Sequence, residues 1–157
     1  MLTIDVTGLQ EWREKLDPRV FRRAVEVGMD RGAARSVGYI QARKLSQKGP
    51  DTLGIQSQHL RGSLTHTQPK VGGNSVSTLI GTRVEYGAVH EYGAKAYTIR
   101  PKEKKALAFT IGGRKIVRKF VKHKAIPARR WLSKGVAESG HFFTEEIRDE
   151  ILEELNK

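Results

Sequence analysis

His90-Glu91 is the pair whose residue types most readily suggest catalysis. A zinc hydrolase of the HExxH kind needs two imidazoles one helical turn apart, with the glutamate between them as base. Position 94 is Ala94, so the second ligand is missing. His59, His66, His123 and His141 fall at no spacing that would gather a metal, and cysteine is absent, which removes thiol catalysis and disulfide staples together. The glycine pairs Gly72-Gly73 and Gly112-Gly113 spell neither GxxxxGK[ST] nor GxGxxG, and a hairpin turn explains them better than a phosphate loop. Serines and threonines are many, but none stands in a nucleophile–base–acid order. No catalytic residue, cofactor or metal is expected.

Two blocks are dense and unusual. VEYGAVHEYGA, residues 84–94, sets Tyr86 and Tyr92 six residues apart, each followed by glycine, with His90-Glu91 between. AIPARRWLSKG, residues 125–135, runs from Pro127 through Arg129 and Arg130 to Trp131. Both suit a corner where sheet meets helix, with the aromatics packed and Arg129 paired with Glu91. On that reading Tyr86, His90, Glu91, Gly93, Pro127, Arg129 and Trp131 are architectural; a binding role for the same corner is the alternative.

The elements that would position these blocks follow from pattern and charge. The 157 residues suit one domain spanning 1–157, and their 38% hydrophobic content is enough for a conventional core. Apolar stretches are only a few residues long, so no membrane span is expected, and Met1 to Gly8 lacks the basic start of a secretory signal. Leu2 to Val6 alternates like a short strand ended by Gly8. Asp17-Pro18 is a strong helix start, and Val20, Ala24, Val27, Ala34, Val37 and Leu45 carry one amphipathic helix over 17–45. Gly28, Gly32 and Gly38 weaken it, which points to close packing or a bend. Residues 46–58 read as a mobile loop, and His59 to Leu64 as a helical turn. Strands are expected at 64–71, 75–82, 97–101, 106–111 and 116–121, with turns at Gly72-Gly73-Asn74 and Gly112-Gly113. A last helix over 133–155 carries the apolar stripe Val136, Phe143, Ile147, Ile151 and Leu155. Its other face holds Glu145, Glu146, Asp149, Glu150, Glu153 and Glu154. The expected fold is α+β: an antiparallel sheet of four to five strands packed by a long N-terminal helix and a C-terminal helix, with a projecting basic hairpin.

Charge is the strongest clue to partners. The net charge is +12, yet residues 95–135 alone carry fourteen Lys and Arg against Glu103, while residues 136–157 carry seven acids against two bases. Such asymmetry implies a polyanionic partner, head-to-tail self-association, or both. Lys102, Lys104, Lys105, Arg114, Lys115, Arg118, Lys119, Lys122 and Lys124 are the expected DNA-facing or partner-docking residues. Alternation would set Arg114, Arg118, Lys122 and Lys124 on one face and Lys115 and Lys119 on the other. Glu145, Glu146, Asp149, Glu150 and Glu153 are the expected subunit interface.

Leu60-Arg61-Gly62-Ser63-Leu64, then Tyr86, His90, Glu91 and Gly93, then Pro127, Arg129 and Trp131 follow one another in an order that resembles a family of tailed-bacteriophage morphogenesis proteins. These are the tail-completion and head–tail joining proteins, similar to the minor tail protein Z of lambdoid phages. The resemblance runs over about residues 18–155, although Arg130-Trp131 stands where Pro-Phe is commoner. It implies a non-enzymatic virion component of the neck or tail, assembled in the bacterial host cytoplasm. It further implies a homo-oligomeric, hexamer-like ring that contacts neighbouring neck and tail proteins; the basic segment 95–135 adds the expectation of duplex DNA in the channel as a partner bound without sequence specificity. The alternative is a free-standing, non-specific nucleic-acid-binding module that uses the basic hairpin.

Overall fold

The computed structural model describes residues 2–4, 17–54, 58–73 and 75–156. In chain order the elements are β1 (Leu2–Ile4), α1 (Pro18–Arg43), α2 (Gln58–Ser63), β2 (Thr65–His66), β3 (Lys70–Gly72), β4 (Ser75–Gly81) and α3 (Glu85–Tyr92). There follow β5 (Tyr97–Ile99), β6 (Leu107–Ile111), β7 (Arg114–Arg118), β8 (Val121–His123), α4 (Trp131–Ser139) and α5 (His141–Leu155). The fold is α+β, as the alternation of the chain implied, and every strand pair is antiparallel.

Among the described residues the strands form one four-stranded sheet and two two-stranded ribbons in place of a single sheet. β4 takes β1, β2 and β3 as partners, β5 pairs with β8, and β6 pairs with β7. Lys119 and Phe120 interrupt what would have been one strand, so Val121–His123 turns away from the hairpin to pair with Tyr97–Ile99. The proposed face joining Arg114 and Arg118 to Lys122 and Lys124 is therefore split between two ribbons. Asp5 to Gly8, Ile55 to Ser57 and Asn74, each part of an expected strand, loop or turn, lie outside the described residues.

The start of α1 is built as its residues dictate. The Asp17 side chain accepts from the Arg19 amide at 2.8 Å, and Pro18 occupies the first turn, where no amide is needed. The buried stripe, however, is not the one the larger aliphatics marked. Ala24, Val25, Gly28, Met29, Gly32, Ala33, Ser36 and Ile40 face inward, while Ala34 is exposed. Small residues line this face because α5 crosses it at very short range. A Cβ at Gly28 would lie 2.5 Å from Ile147 Cα, and one at Gly32 would lie 2.8 Å from Phe143 Cα. Gly38 meets nothing within 4 Å and serves no such purpose.

The last helix also differs from its expected form. It starts two residues early, so Trp131 lies inside it, and Gly140 divides it into α4 and α5. Phe143, Ile147 and Ile151 are buried against α1, together with Trp131, Leu132 and Val136 of α4. Leu45, Leu60, Leu64 and Ile80 close the core from the loop, α2 and the sheet side. Leu53 in the 46–58 loop is tied back by its amide to the Lys44 carbonyl at 2.9 Å.

Candidate functional site

The block 84–94, expected at a corner where sheet meets helix, is mostly the helix α3. Its last turn and the strand-like segment 126–130 are stitched by backbone hydrogen bonds. Arg129 N–H donates to the His90 carbonyl at 2.9 Å, Arg130 N–H to the Glu91 carbonyl at 3.1 Å, and Ala94 and Ile126 exchange both bonds at 2.9 and 2.8 Å. This places the two conspicuous sequence blocks against each other. Gly93 sits between them with φ of 77°, and a side chain there would meet Ile126 O at 2.8 Å and Ala128 N at 2.9 Å. Only glycine combines that backbone angle with that approach.

Glu91 does the chemical work of the corner. Arg130 enters α4 in the left-handed conformation, φ 51°, and its side chain caps nothing. The first-turn amides therefore need an acceptor from elsewhere. Glu91, only 5% exposed, supplies it. Its Oε2 accepts from Leu132 N at 2.8 Å and its Oε1 from Ser133 N at 3.1 Å, with the Ser133 hydroxyl donating to Oε1 as well. A carboxylate held at a helix start also meets the positive end of the peptide dipoles. This carboxylate is consumed as a cap.

The expected Arg129–Glu91 pair is not formed. Arg129 turns its guanidinium to the Thr52 carbonyl in the loop after α1, because both Glu91 oxygens already face α4. Trp131, 1% exposed, lies over Gly87 and donates its indole N–H to the Gly87 carbonyl at 3.1 Å. Burial first, and the Arg129 charge second, hold the His90 imidazole below its ordinary range. Its Nδ1 is buried without a partner among the described residues. Tyr86 is half open and reaches His59 Nδ1 at 3.4 Å, and Pro127 is exposed at the rim. The corner thus brings Glu91, Gly93, Arg129 and Trp131 into one packed joint, while Tyr86 and Pro127 border it.

The acidic face of α5 is largely engaged within the chain. Glu150, expected on the exposed face, is 7% exposed and pairs with Arg31 of α1. Arg35 pairs with Glu146 at 2.7 Å and Glu145 at 3.2 Å, and lies 4.2 Å from the Phe142 ring centroid. Three of the five expected interface residues are therefore intramolecular partners of α1. Asp149 is exposed, and Glu153 is exposed and has a partner of its own.

The basic residues occupy a different region. β6 and β7 form a hairpin whose turn residues Gly112 and Gly113 both have positive φ, 55° and 78°. That is the twist-matched two-residue turn that suits a tight ribbon. Leu107, Phe109 and Ile116 are half-buried on one face; the other side chains of both strands are exposed. The second ribbon, β5–β8, carries Tyr97 stacked on His123 at 4.9 Å between ring centroids. Lys102, Lys104, Lys105, Arg114, Lys115, Arg118, Lys119, Lys122 and Lys124 are all exposed on these two ribbons and their connections.

Sequence reasoning did not find Leu132, Ser133 or Thr52 as partners of the corner. Glu91 and its helix lie some forty residues apart in the chain, and no local pattern links a glutamate to a distant helix start.

The corner's buried carboxylate, Glu91, is thus spent on the start of α4, between small antiparallel sheets and the α1–α5 pair. The chain belongs to the phage virion morphogenesis family, whose model matches residues 31–156, from the middle of α1 to the end of α5. A comparison with curated proteins and with solved structures finds no match. The family is one of structural and assembly proteins of the virion. Among the described residues no helix is long and apolar enough to cross a membrane.

Proposed function

We propose that the protein acts in tail completion and head–tail joining, as an oligomeric ring component of the phage neck or tail end. The observation that carries this reading is the family match over residues 31–156, which takes in the second half of α1, the corner, both ribbons and α5. The division of surfaces supports it. α1 and α5 form a close helix pair held by the Gly28 and Gly32 approaches and the Arg31 and Arg35 ion pairs. The two-stranded ribbons have edges that no strand among the described residues covers, which a neighbouring subunit or tail protein can pair with. Heterologous contacts of that kind close into rings when the rotation allows.

A free-standing nucleic-acid-binding module explains the basic ribbons but leaves the match to a virion family unexplained. Mass measurement of the isolated protein and quantitation of the chain in purified virions test the reading. The expected result is several copies per particle, present in a fixed ratio to one another and localised at the neck or tail end. Absence of the chain from purified, infectious virions would refute it.

A further inference from the structure

We infer that the paired ribbons β5–β8 and β6–β7 form a binding surface for the phosphate backbone of duplex DNA, read without regard to sequence. Residues 95–124 contain eleven Lys and Arg against one acid, Glu103. All eleven are exposed, and among the described residues none is in an ion pair. Arg31, Arg35, Lys44 and Lys134 each meet a carboxylate, and what sets residues 95–124 apart is the density of their cations. Cations at this density, with no ion-pair partner among the described residues, repel one another and are relieved by a polyanion.

The chemistry of the arm favours phosphate over an acidic protein. Eight of the eleven cations are lysines, a residue type depleted in protein–protein interfaces. The arm has no Asn or Gln, so it lacks the amides that read adenine edges or build a matched polar rim. Its cations stand on both faces of the hairpin: Arg114 and Arg118 share the face of Ile116, and Lys115 shares the opposite face with Val117. A distribution of that kind creates a field along a charged rod and does not match a single complementary patch. Arg114 and Arg118 are separated by about 13 Å along an extended strand, close to the axial rise of four phosphates at about 3.4 Å each on one DNA strand. Arg100 lies over the Phe120 ring at 5.8 Å and Tyr97 stacks on His123, contacts that leave the cations exposed.

The test is fluorescence anisotropy with two labelled 24-base-pair duplexes of different base composition. The expected dissociation constants at physiological salt are about 10⁻⁴ to 10⁻⁶ M and equal for both sequences. Between 50 and 200 mM salt the affinity should fall by about 10³-fold or more, since six or more phosphates are neutralised. The variant Arg114→Gln, Lys115→Gln, Arg118→Gln and Lys119→Gln changes only exposed side chains. It should lose at least about tenfold in affinity and reduce the logarithmic salt slope by about 4. A control variant, Arg19→Gln, Arg22→Gln and Arg23→Gln at the exposed start of α1, should bind within about threefold of the parent.

Undiminished binding by the arm variant, or equal loss in the control, would overturn the assignment. So would tighter binding of poly-L-glutamate than of duplex at matched charge, which would identify an acidic protein as the occupant. If the arm variant failed to fold, the salt slope of the parent decides: a slope near zero refutes phosphate binding. Failure of DNA binding would leave the assembly role standing, because that role depends on incorporation into virions and not on the arm's ligand.

Discussion

Replacing Glu91 by alanine should destabilise the protein by about 3 kcal/mol, although the residue touches no ligand. The substitution removes the acceptor for two first-turn amides of α4, Leu132 N and Ser133 N. Loss of a helix cap costs about 0.5–2 kcal/mol, and a buried donor left without a partner costs about 1–3 kcal/mol. The carboxylate's interaction with the helix start adds up to about 2 kcal/mol in a partly buried site. These contributions overlap, so about 3 kcal/mol is the sensible total. For a domain of this size that corresponds to a fall in Tm of about 6–12 °C. Glu91→Gln keeps one acceptor oxygen and should cost roughly half as much. Arg129→Ala removes a donor to the Thr52 carbonyl and should cost about 1 kcal/mol. Urea denaturation of the three variants gives the free energies, and hydrogen exchange reports the amides themselves. Exchange at Leu132 and Ser133 should accelerate in Glu91→Ala well before global unfolding. A Glu91→Ala variant within about 0.5 kcal/mol of the parent, with those amides still protected, would refute the capping argument.

Three further outcomes follow from the geometry. Gly32→Ala, whose Cβ would lie 2.8 Å from Phe143 Cα, should destabilise by about 1–3 kcal/mol. Gly38→Ala, with open space around it, should stabilise by up to about 1 kcal/mol, and thermal melts that gave the two the same sign would contradict the packing account. The folded-state pKa of His90 is lowered, so the unfolded chain binds the proton more readily and stability falls as pH drops through about 6.5. Removing the imidazole with His90→Gln should flatten Tm between pH 7 and 5. Losses from Asp51 and Glu138, whose carboxyls are lowered chiefly by hydrogen bonds from Lys134 and Lys44, come only at more acidic pH. If subunits associate through the basic ribbons and the acidic helix, raising salt to 1 M, where the Debye length is about 3 Å, should dissociate them. Sedimentation that shows one oligomeric mass at both 50 mM and 1 M salt would exclude that contact.

The parts of the fold that were legible in the sequence are those fixed by short-range rules. Asp17-Pro18 starts α1, Gly112-Gly113 turns the hairpin, and Phe143, Ile147 and Ile151 mark the buried side of α5, each through neighbours within one or two turns. The inward face of α1 departs from the aliphatic stripe because helix packing reverses the usual weighting: where α5 comes closest, Gly28 and Gly32 are the buried residues and the larger aliphatics Val27 and Val37 sit at the margins. The sheet was overestimated because alternation reveals a strand but not its partner. Nothing in KFVKH announces that the chain leaves β7 at Arg118 and pairs anew with Tyr97–Ile99. At the corner, the composition of the two blocks drew attention to the right residues, yet the specific pairing of Glu91 with α4 depends on a fold-level juxtaposition. Glu150 was read as solvent-facing because its acidic neighbours are, whereas the opposing guanidinium of Arg31 lets it be buried.

The central claim is that this chain is needed to complete and join the phage particle. Electron microscopy of lysates from phage whose copy of this chain is inactivated tests it most directly. Filled heads and tails should remain separate or end abnormally, with joining restored when the protein is supplied in trans. Normally joined, infectious particles lacking the chain would contradict it.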